Sequence, residues 1–341
     1  MMKTAAGLYP YGICASVCVV IFVLSGLLSA RISGRRSPKT VVRACATEAV
    51  CALLMSRLVF CGANYVKYFL YEPAKIPLLT EGGLSMWGAL WGMLLGAFVF
   101  SRVSRAGAAA LFDIMTPGAL GVVFIMRLAE GFTGQSVGKE LQWQALLNTP
   151  FACLDNWGYP VFAVYRAEAV CALALLIPAF LLLCARTRPG TACVVCLGLL
   201  SAFQVVFECM KDSGYLYIYY IRITQALAVL MLLVLLIVGL ATLKKRRIMA
   251  WAAAFAFLSG CAIVVRQSFA IDTPERLELN LLLMLAGALM SAAAAIIVYL
   301  RGEGSGAAMP ADGTPRVWWA YLALAALVIA LPFLIPSGIN V

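Results

Sequence analysis

Ionisable side chains interrupt the long apolar runs of this sequence or stand at their ends: Glu48, Arg57, Asp113, Arg127, Arg166, Glu168, Glu208 and Arg222. Such residues are costly at membrane depth, so each is a functional candidate. Guanidinium groups match phosphate oxygens with a fork of donors, which suits a phospholipid head group. Arginines near helix ends can also simply extend to the membrane interface. Both interpretations stay open for Arg166 and Arg222, whereas for Arg57 we favour a buried partner or an anionic ligand.

Several kinds of chemistry are excluded by composition. The chain has no histidine, so it cannot form a Ser-His-Asp triad or a histidine-ligated zinc site. Among its 12 cysteines, Cys193 and Cys196 form one CxxC pair without a second pair to complete a metal site. We therefore interpret the cysteines as small core residues and expect no metal or cofactor. The net charge of +11 is not gathered on a basic face, so nucleic acid is not an expected partner.

The elements that must position these residues are membrane-spanning helices. Hydrophobic residues make up 64% of the chain and charged residues only 12%, about half the charged share of a soluble domain. Apolar windows of about 20 residues predict ten spans, near 12–30, 45–63, 84–101, 109–126, 162–184, 191–210, 221–243, 249–265, 280–300 and 317–336. The sequence thus predicts an all-α polytopic membrane protein.

Loop charge predicts the orientation of these spans. The densest cation clusters, within 31–43 and 244–247, fall on the inner side if the first span runs from outside to inside. Both termini would then face outward. A cleaved signal peptide is the alternative for the first apolar run, with Leu28-Ser29-Ala30 as a cleavage site. A retained helix is favoured, because only Lys3 precedes this run while five cations follow it.

A change in composition divides the chain. After Lys244-Lys245-Arg246-Arg247, the spans are nearly pure Ala, Leu, Ile and Val. We predict a seven-span core at 1–247, which holds the chemistry, and an extension of three additional C-terminal transmembrane helices at 248–341. In the third span, Gly88, Gly92 and Gly96 share one helix face, and close helix packing is favoured over a lipid-binding role.

The order of several short motifs resembles one known family. They are Tyr11-Gly12, Ser56-Arg57, Gly82-Gly83-Leu84-Ser85, Asp113-Ile114-Met115-Thr116-Pro117 with Arg127 ten residues later, then Phe203, Glu208, Lys211 and Asp212, and finally Gln225. From about Tyr11 to Arg247, the chain resembles the prolipoprotein diacylglyceryl transferases.

The resemblance implies a multi-pass enzyme of the bacterial plasma (inner) membrane, active in lipoprotein biosynthesis. It would move the diacylglyceryl group of phosphatidylglycerol onto the lipobox cysteine of prolipoproteins, so its partners would be phosphatidylglycerol, prolipoprotein signal peptides and membrane lipid. The catalytic residues would be Arg127 and Glu130. The residues expected to bind substrate are Tyr11, Arg57, Gln135, Gln204, Glu208, Arg222 and Gln225.

The chain departs from the family pattern at positions that the family uses for catalysis. Trp87 stands at the histidine position, Glu130 at an asparagine, Gln135 at a glutamate and Gln204 at an arginine. Arg222 could return the lost positive charge, and Glu130 is the only nearby replacement base. Two functions therefore stay open: a divergent transferase, or a catalytically inert lipid-binding or accessory membrane protein. A transporter has little support, because paired halves are not visible.

Overall fold

The computed structural model describes residues 10–34, 36–78, 83–104, 107–132, 136–140, 147–155, 158–212, 217–218, 221–243, 247–270 and 277–302. Within these ranges, nine helices are long and apolar enough to cross a membrane. They are α1 Pro10–Ser33, α2 Pro38–Ala63, α3 Met86–Val103, α4 Ala108–Glu130, α5 Val164–Cys184, α6 Thr191–Met210, α7 Ile223–Ala241, α8 Arg247–Ala270 and α9 Leu277–Arg301. The first nine predicted spans are confirmed. The tenth, at 317–336, lies outside the described residues.

Short connections fix the helix directions. The links at 34–37 and 104–107 have four residues each, which reach about 14 Å when extended and cannot run back along a helix of about 27 Å or more. The helices joined by these links, α1 with α2 and α3 with α4, are therefore antiparallel. The described parts of three longer connections lie at the opposite end of the bundle from these links: 64–78 with 83–85, 131–132 with 136–140, 147–155 and 158–163, and 211–212 with 217–218 and 221–222. We call this the loop end.

Small elements of secondary structure occupy the loop end. A π-helix, Val66–Tyr71, and a short 3-10 helix, Pro73–Lys75, follow α2. Strand β1, Ala152–Leu154, pairs with β2, Pro160–Phe162, in an antiparallel hairpin. A second antiparallel hairpin joins β3, Tyr217–Ile218, to β4, Ile221–Arg222, directly before α7. These pieces cover the helix ends that carry most of the candidate site residues.

Glycines bring α3 against the backbone of α2. A Cβ added at Gly88 would lie 2.8 Å from the carbonyl oxygen of Met55, and one at Gly96 would lie 2.6 Å from Cα of Glu48. A Cβ at Gly92 would overlap the carbonyl oxygen of Cys51. Only hydrogen fits on this face at that separation, so the prediction of close helix packing is confirmed.

Helix α9 packs on the central helices α6 and α7. A Cβ added at Gly239 would lie 3.1 Å from Cγ1 of Val298, and the hydroxyl of Tyr299 donates a hydrogen bond to Pro189 O at 2.6 Å. Arg188 donates to the carbonyl oxygens of Tyr299 and Gly302, both at 3.0 Å. Helix α8 reaches the bundle largely through α9. The proposed boundary after residue 247 therefore separates helices that are in contact.

Candidate functional site

Arg127, in the last turn of α4, is the first anchor of a buried charged site at the loop end. Its Nη1 lies 2.6 Å from Oε1 of Glu130, one turn later in the chain, and its Nε lies 2.9 Å from Oε2 of Glu168 in α5. The side chains of Arg127 and Glu168 are 5% and 2% exposed, whereas Glu130 is 13% exposed. Glu130 is thus the carboxylate of this group that lies closest to solvent.

Lys211, directly after α6, continues the same site. Its Nζ lies 2.9 Å from Oε1 of Glu168 and 3.1 Å from Oε2 of Glu208. The amide nitrogen of Gln204 donates to the same two oxygens, at 2.7 Å and 3.1 Å. Arg222, at the start of α7, has Nη1 3.9 Å from Oε1 of Glu208 and also donates to Lys211 O.

Opposite charges alternate through this arrangement, which we call the charge cluster: Glu130, Arg127, Glu168, Lys211, Glu208 and Arg222. Three cations and three carboxylates leave it with no net charge. Each buried carboxylate is shared between two cations, and this is the condition under which buried charges are tolerated. The cluster joins α4, α5, α6 and α7 at one end of the bundle.

A loop segment covers one side of the charge cluster. The N–H of Lys139 donates to Met210 O at 3.2 Å, and the N–H of Asp212 donates to Val137 O at 2.9 Å. A Cβ added at Gly138 would lie 2.8 Å from Phe162 O and 3.0 Å from Met210 O. The segment 136–140 is therefore tied to the backbone on both sides of Lys211.

Arg57 holds a different part of the loop end. Its guanidinium donates to the carbonyl oxygens of Lys75 at 2.7 Å, Ile76 at 2.8 Å and Gly83 at 3.1 Å. It also lies 5.1 Å from the ring centroid of Tyr68. The buried partner favoured from the sequence is thus found in the segment that follows α2. None of the contacts described for Arg57 is with a member of the charge cluster.

Three further residues of the predicted site are Gln225, Tyr11 and Gln135. Gln225 donates to Val205 O at 3.3 Å and to Sγ of Cys209 at 3.2 Å, so it packs against α6. Tyr11 lies in the first turn of α1, but its side chain is not among the described atoms. Gln135 falls outside the described residues.

Arg166 was a candidate whose role the sequence left open. Its Nη1 donates to the carbonyl oxygens of Pro150, at 2.6 Å, and Ala152, at 3.2 Å. It therefore ties α5 to the start of β1 and to the residues just before it, and none of its described contacts is with the charge cluster.

A family model and several relatives match this chain. The model for prolipoprotein diacylglyceryl transferases matches residues 2–241. The chain belongs to the prolipoprotein diacylglyceryl transferase family.

Relatives named phosphatidylglycerol–prolipoprotein diacylglyceryl transferase match shorter stretches. The protein of Geobacter sulfurreducens is 27% identical over 122 residues, which cover 35% of this chain and 47% of the relative. That of Corynebacterium diphtheriae is 26% identical over 133 residues, or 38% and 46%. That of Rhodospirillum rubrum is 31% identical over 87 residues, or 26% and 32%. The chain thus matches less than half the length of each of these relatives.

Trp87, which the sequence motifs match to a histidine of the family, is buried in the core. It is 1% exposed, and its indole N–H has no hydrogen-bond partner among the described residues. Indole nitrogen is a donor only and cannot accept a proton as imidazole does. Trp87 therefore cannot act as a proton acceptor.

Two members of the charge cluster, Glu168 and Lys211, are absent from the site predicted from the sequence. Each carried a signal, since Glu168 opens an apolar span and Lys211 belongs to the motif after the sixth span. Neither signal indicates that the two side chains meet, because Glu168 lies in α5 and Lys211 directly follows α6, a different helix.

Two candidate carboxylates lie away from the cluster. Asp113 accepts the N–H groups of Gly190 at 2.8 Å and Cys193 at 3.1 Å, and so caps α6. Glu48 is 1% exposed and lines a cavity of about 30 Å³ with Thr116 and Cys193. Cys193 and Cys196 are both free and buried, in agreement with their interpretation as core residues.

Proposed function

We propose that this protein transfers the diacylglyceryl group of phosphatidylglycerol to the cysteine thiol of a prolipoprotein. Membership of the family supports this function. The observation that carries it is the buried position of Arg127 in a charge cluster at the loop end. A membrane protein rarely buries this many charges without a functional reason.

The reaction needs a group that accepts the thiol proton and a group that stabilises the leaving phosphate. The sulfur attacks the glyceryl carbon that carries the phosphate, an S–C bond forms, the C–O bond breaks, and glycerol phosphate leaves. Thiolate is the nucleophilic form of cysteine, and cations aimed at the leaving group stabilise charge as it develops. The proposed roles are proton acceptor for Glu130 and phosphate binding for Arg127 and Arg57.

Charge balance links these two roles. The cluster has no net charge, so its cations are already matched by carboxylates. When Glu130 takes the thiol proton, it loses its charge, and Arg127 becomes available to another anion. At the same step the phosphodiester becomes a monoester with an additional negative charge. Proton acceptance by Glu130 would therefore prepare Arg127 for the leaving group.

A reconstituted assay tests the proposal. The purified protein in phosphatidylglycerol vesicles, with a lipobox peptide, should produce a peptide whose mass increases by one diacylglyceryl group. Glu130→Gln should abolish this product and leave retention of phosphatidylglycerol unchanged. Glu72→Gln is a matched control, because Glu72 forms an i,i+3 ion pair with Lys75 at 3.1 Å but is 36% exposed. A fully active Glu130→Gln variant would exclude Glu130 as the proton acceptor.

The second candidate function is lipid binding without catalysis. The burial of Trp87 at the family histidine position favours it. In that case the wild-type protein retains phosphatidylglycerol but forms no lipidated peptide, even at high enzyme concentration. The same assay distinguishes the two functions.

We also propose that the protein lies in the bacterial inner membrane with its loop end outward. The cation-rich links lie at the opposite end of the bundle, and positive charge favours the cytoplasmic side. A reporter fused after Arg247 should be cytoplasmic, and a reporter at Val341 should be external. The opposite result at Arg247 would reverse the orientation.

A further inference from the structure

Lys211 and Gln204 lie two helical turns apart and meet the same pair of carboxylate oxygens. Oε1 of Glu168 lies 2.7 Å from the Gln204 amide nitrogen and 2.9 Å from Lys211 Nζ. Oε2 of Glu208 lies 3.1 Å from both nitrogens. Only one of these two donors is charged.

We infer that Lys211 is a positioning residue that supplies the positive charge at the Gln204 position and thereby holds Arg127 and Arg222 in their working arrangement. This inference rests on the proposed transferase function. It adds a residue that the predicted site lacked and assigns it a role different from phosphate binding by Arg127.

The first argument is electrostatic. Glu168 and Glu208 are 2% and 3% exposed, and both have an oxygen close to the same nitrogen. Two carboxylates this close repel strongly in a buried site unless a cation lies between them. The amide of Gln204 is neutral and can orient the oxygens but cannot balance their charge. Lys211 is the cation that lies between them.

The second argument is the order of contacts in the charge cluster. Glu168 uses Oε1 for Lys211 and Oε2 for Arg127, while Glu208 uses Oε2 for Lys211 and Oε1 for Arg222. The two outer arginines are therefore connected through Lys211. Without the charge of Lys211, the cluster would carry one excess negative charge. In the proposed reaction, that charge would lie where the leaving phosphate gains its own negative charge.

The third argument is the rigid support of Lys211. The backbone on both sides of it is hydrogen-bonded to segment 136–140, and its carbonyl oxygen accepts from Arg222. Its side chain is 6% exposed. A lysine at a helix end that only extended to the membrane interface would be exposed instead.

Moving the charge between the two positions tests the inference. Lys211→Met should lower kcat/KM for peptide lipidation by about 100-fold or more, the scale expected when one partner of a buried ion pair is removed. Lys211→Arg should keep activity within about tenfold of wild type. Adding Gln204→Arg to Lys211→Met should recover at least about tenfold, because the new guanidinium reaches the same oxygens. Lys39→Met, at the exposed start of α2, is the control and should be unchanged.

Rates are compared per folded molecule, with the thermal unfolding midpoint measured for each variant. Rescue by a charge seven residues away distinguishes positioning from a general loss of packing. Wild-type kcat/KM in Lys211→Met would overturn the inference, as would a double variant that is folded but no more active than Lys211→Met. If Lys211→Met does not fold, the double variant should fold, and its failure to do so would also overturn it.

Failure of the proposed function has a separate signature. An inactive wild-type protein would exclude transferase activity. The role of Lys211 in the charge cluster would then be tested by the thermal unfolding midpoint alone. Lys211→Met should then lower the unfolding midpoint, and Gln204→Arg should return it. If Gln204→Arg gives no recovery of the midpoint, the inference about Lys211 is wrong independently of catalysis.

Discussion

Asp113 in α4 accepts a hydrogen bond from the backbone N–H of Gly190, the residue before α6, at 2.8 Å. It also accepts from the N–H of Cys193 at 3.1 Å. The first N–H groups of a helix have no partner within it, and a carboxylate there also interacts favourably with the helix dipole. Asp113 is 1% exposed, so this cap lies inside the bundle, where water cannot replace it.

The cap leads to a prediction about stability. Asp113→Ala should lower the free energy of unfolding by about 1–2 kcal/mol, the range for loss of a helix cap. Asp113→Asn should cost less, because its amide oxygen still accepts. Retention of phosphatidylglycerol should be unchanged, because Asp113 lies outside the charge cluster. Asp155→Ala is a control from an exposed turn, where Asp155 accepts the N–H of Tyr159 at 2.8 Å. Equal destabilisation by both alanine variants would contradict the prediction.

The glycine face of α3 gives a second prediction. Gly92→Ala should shift the thermal midpoint downward and cost about 1–3 kcal/mol, as expected for overpacking of a tight contact. The obstacle is backbone of α2, which cannot move aside like the end of a side chain. Gly12→Ala in α1 should not lower the midpoint, since nothing lies within 4 Å of its added Cβ and alanine favours the helix more than glycine does. An unaffected Gly92→Ala variant would mean that α2 and α3 are farther apart than described.

Two substitutions of Arg127 should distinguish the contribution of its charge to lipid binding from that of its planar guanidinium. Arg127→Gln should weaken retention of phosphatidylglycerol by about tenfold or more, given roughly 1.5–3 kcal/mol for a charge-assisted hydrogen bond. Arg127→Lys should restore only part, because an ammonium is a point charge in place of a planar fork. Native mass spectrometry with phosphatidylglycerol and a zwitterionic lipid measures both retention and preference. Unchanged retention in an Arg57, Arg127 double substitution would exclude both residues from lipid binding.

Truncation after Arg247 tests the proposed division of the chain. We expect a folded seven-span core that still binds anionic lipid. Truncation removes α9 and exposes apolar faces of α6 and α7, and membrane lipid can cover these faces. The midpoint should fall, since Arg188 loses its acceptors at Tyr299 and Gly302. Size-exclusion chromatography and lipid retention provide the measurement. Aggregation of the truncated chain would show that 248–341 completes the core.

The helix positions and the family could be predicted from the sequence. The helices depend on local composition, and the family depends on the order of short motifs along the chain. A span is a continuous run of apolar residues, and its length must match the bilayer. The glycine spacing at Gly88, Gly92 and Gly96 likewise predicts one packing face without knowledge of the partner helix. The motif order from Tyr11 onward was sufficient to identify the family, whose model matches residues 2–241.

The composition of the charged site was decided only by the tertiary structure. Glu130 lies one turn from Arg127 on the same helix, so their proximity follows from helix geometry. Glu168, Lys211 and Arg222 come from separate elements, and their pairing depends on how α5, α6 and α7 pack. Arg57 and Asp113 were also candidates in the sequence, yet the first holds backbone carbonyls and the second caps a helix. Sequence identifies which charges enter the membrane, whereas packing selects the partner of each charge, because a buried charge is stabilised by whichever polar group the fold brings within reach.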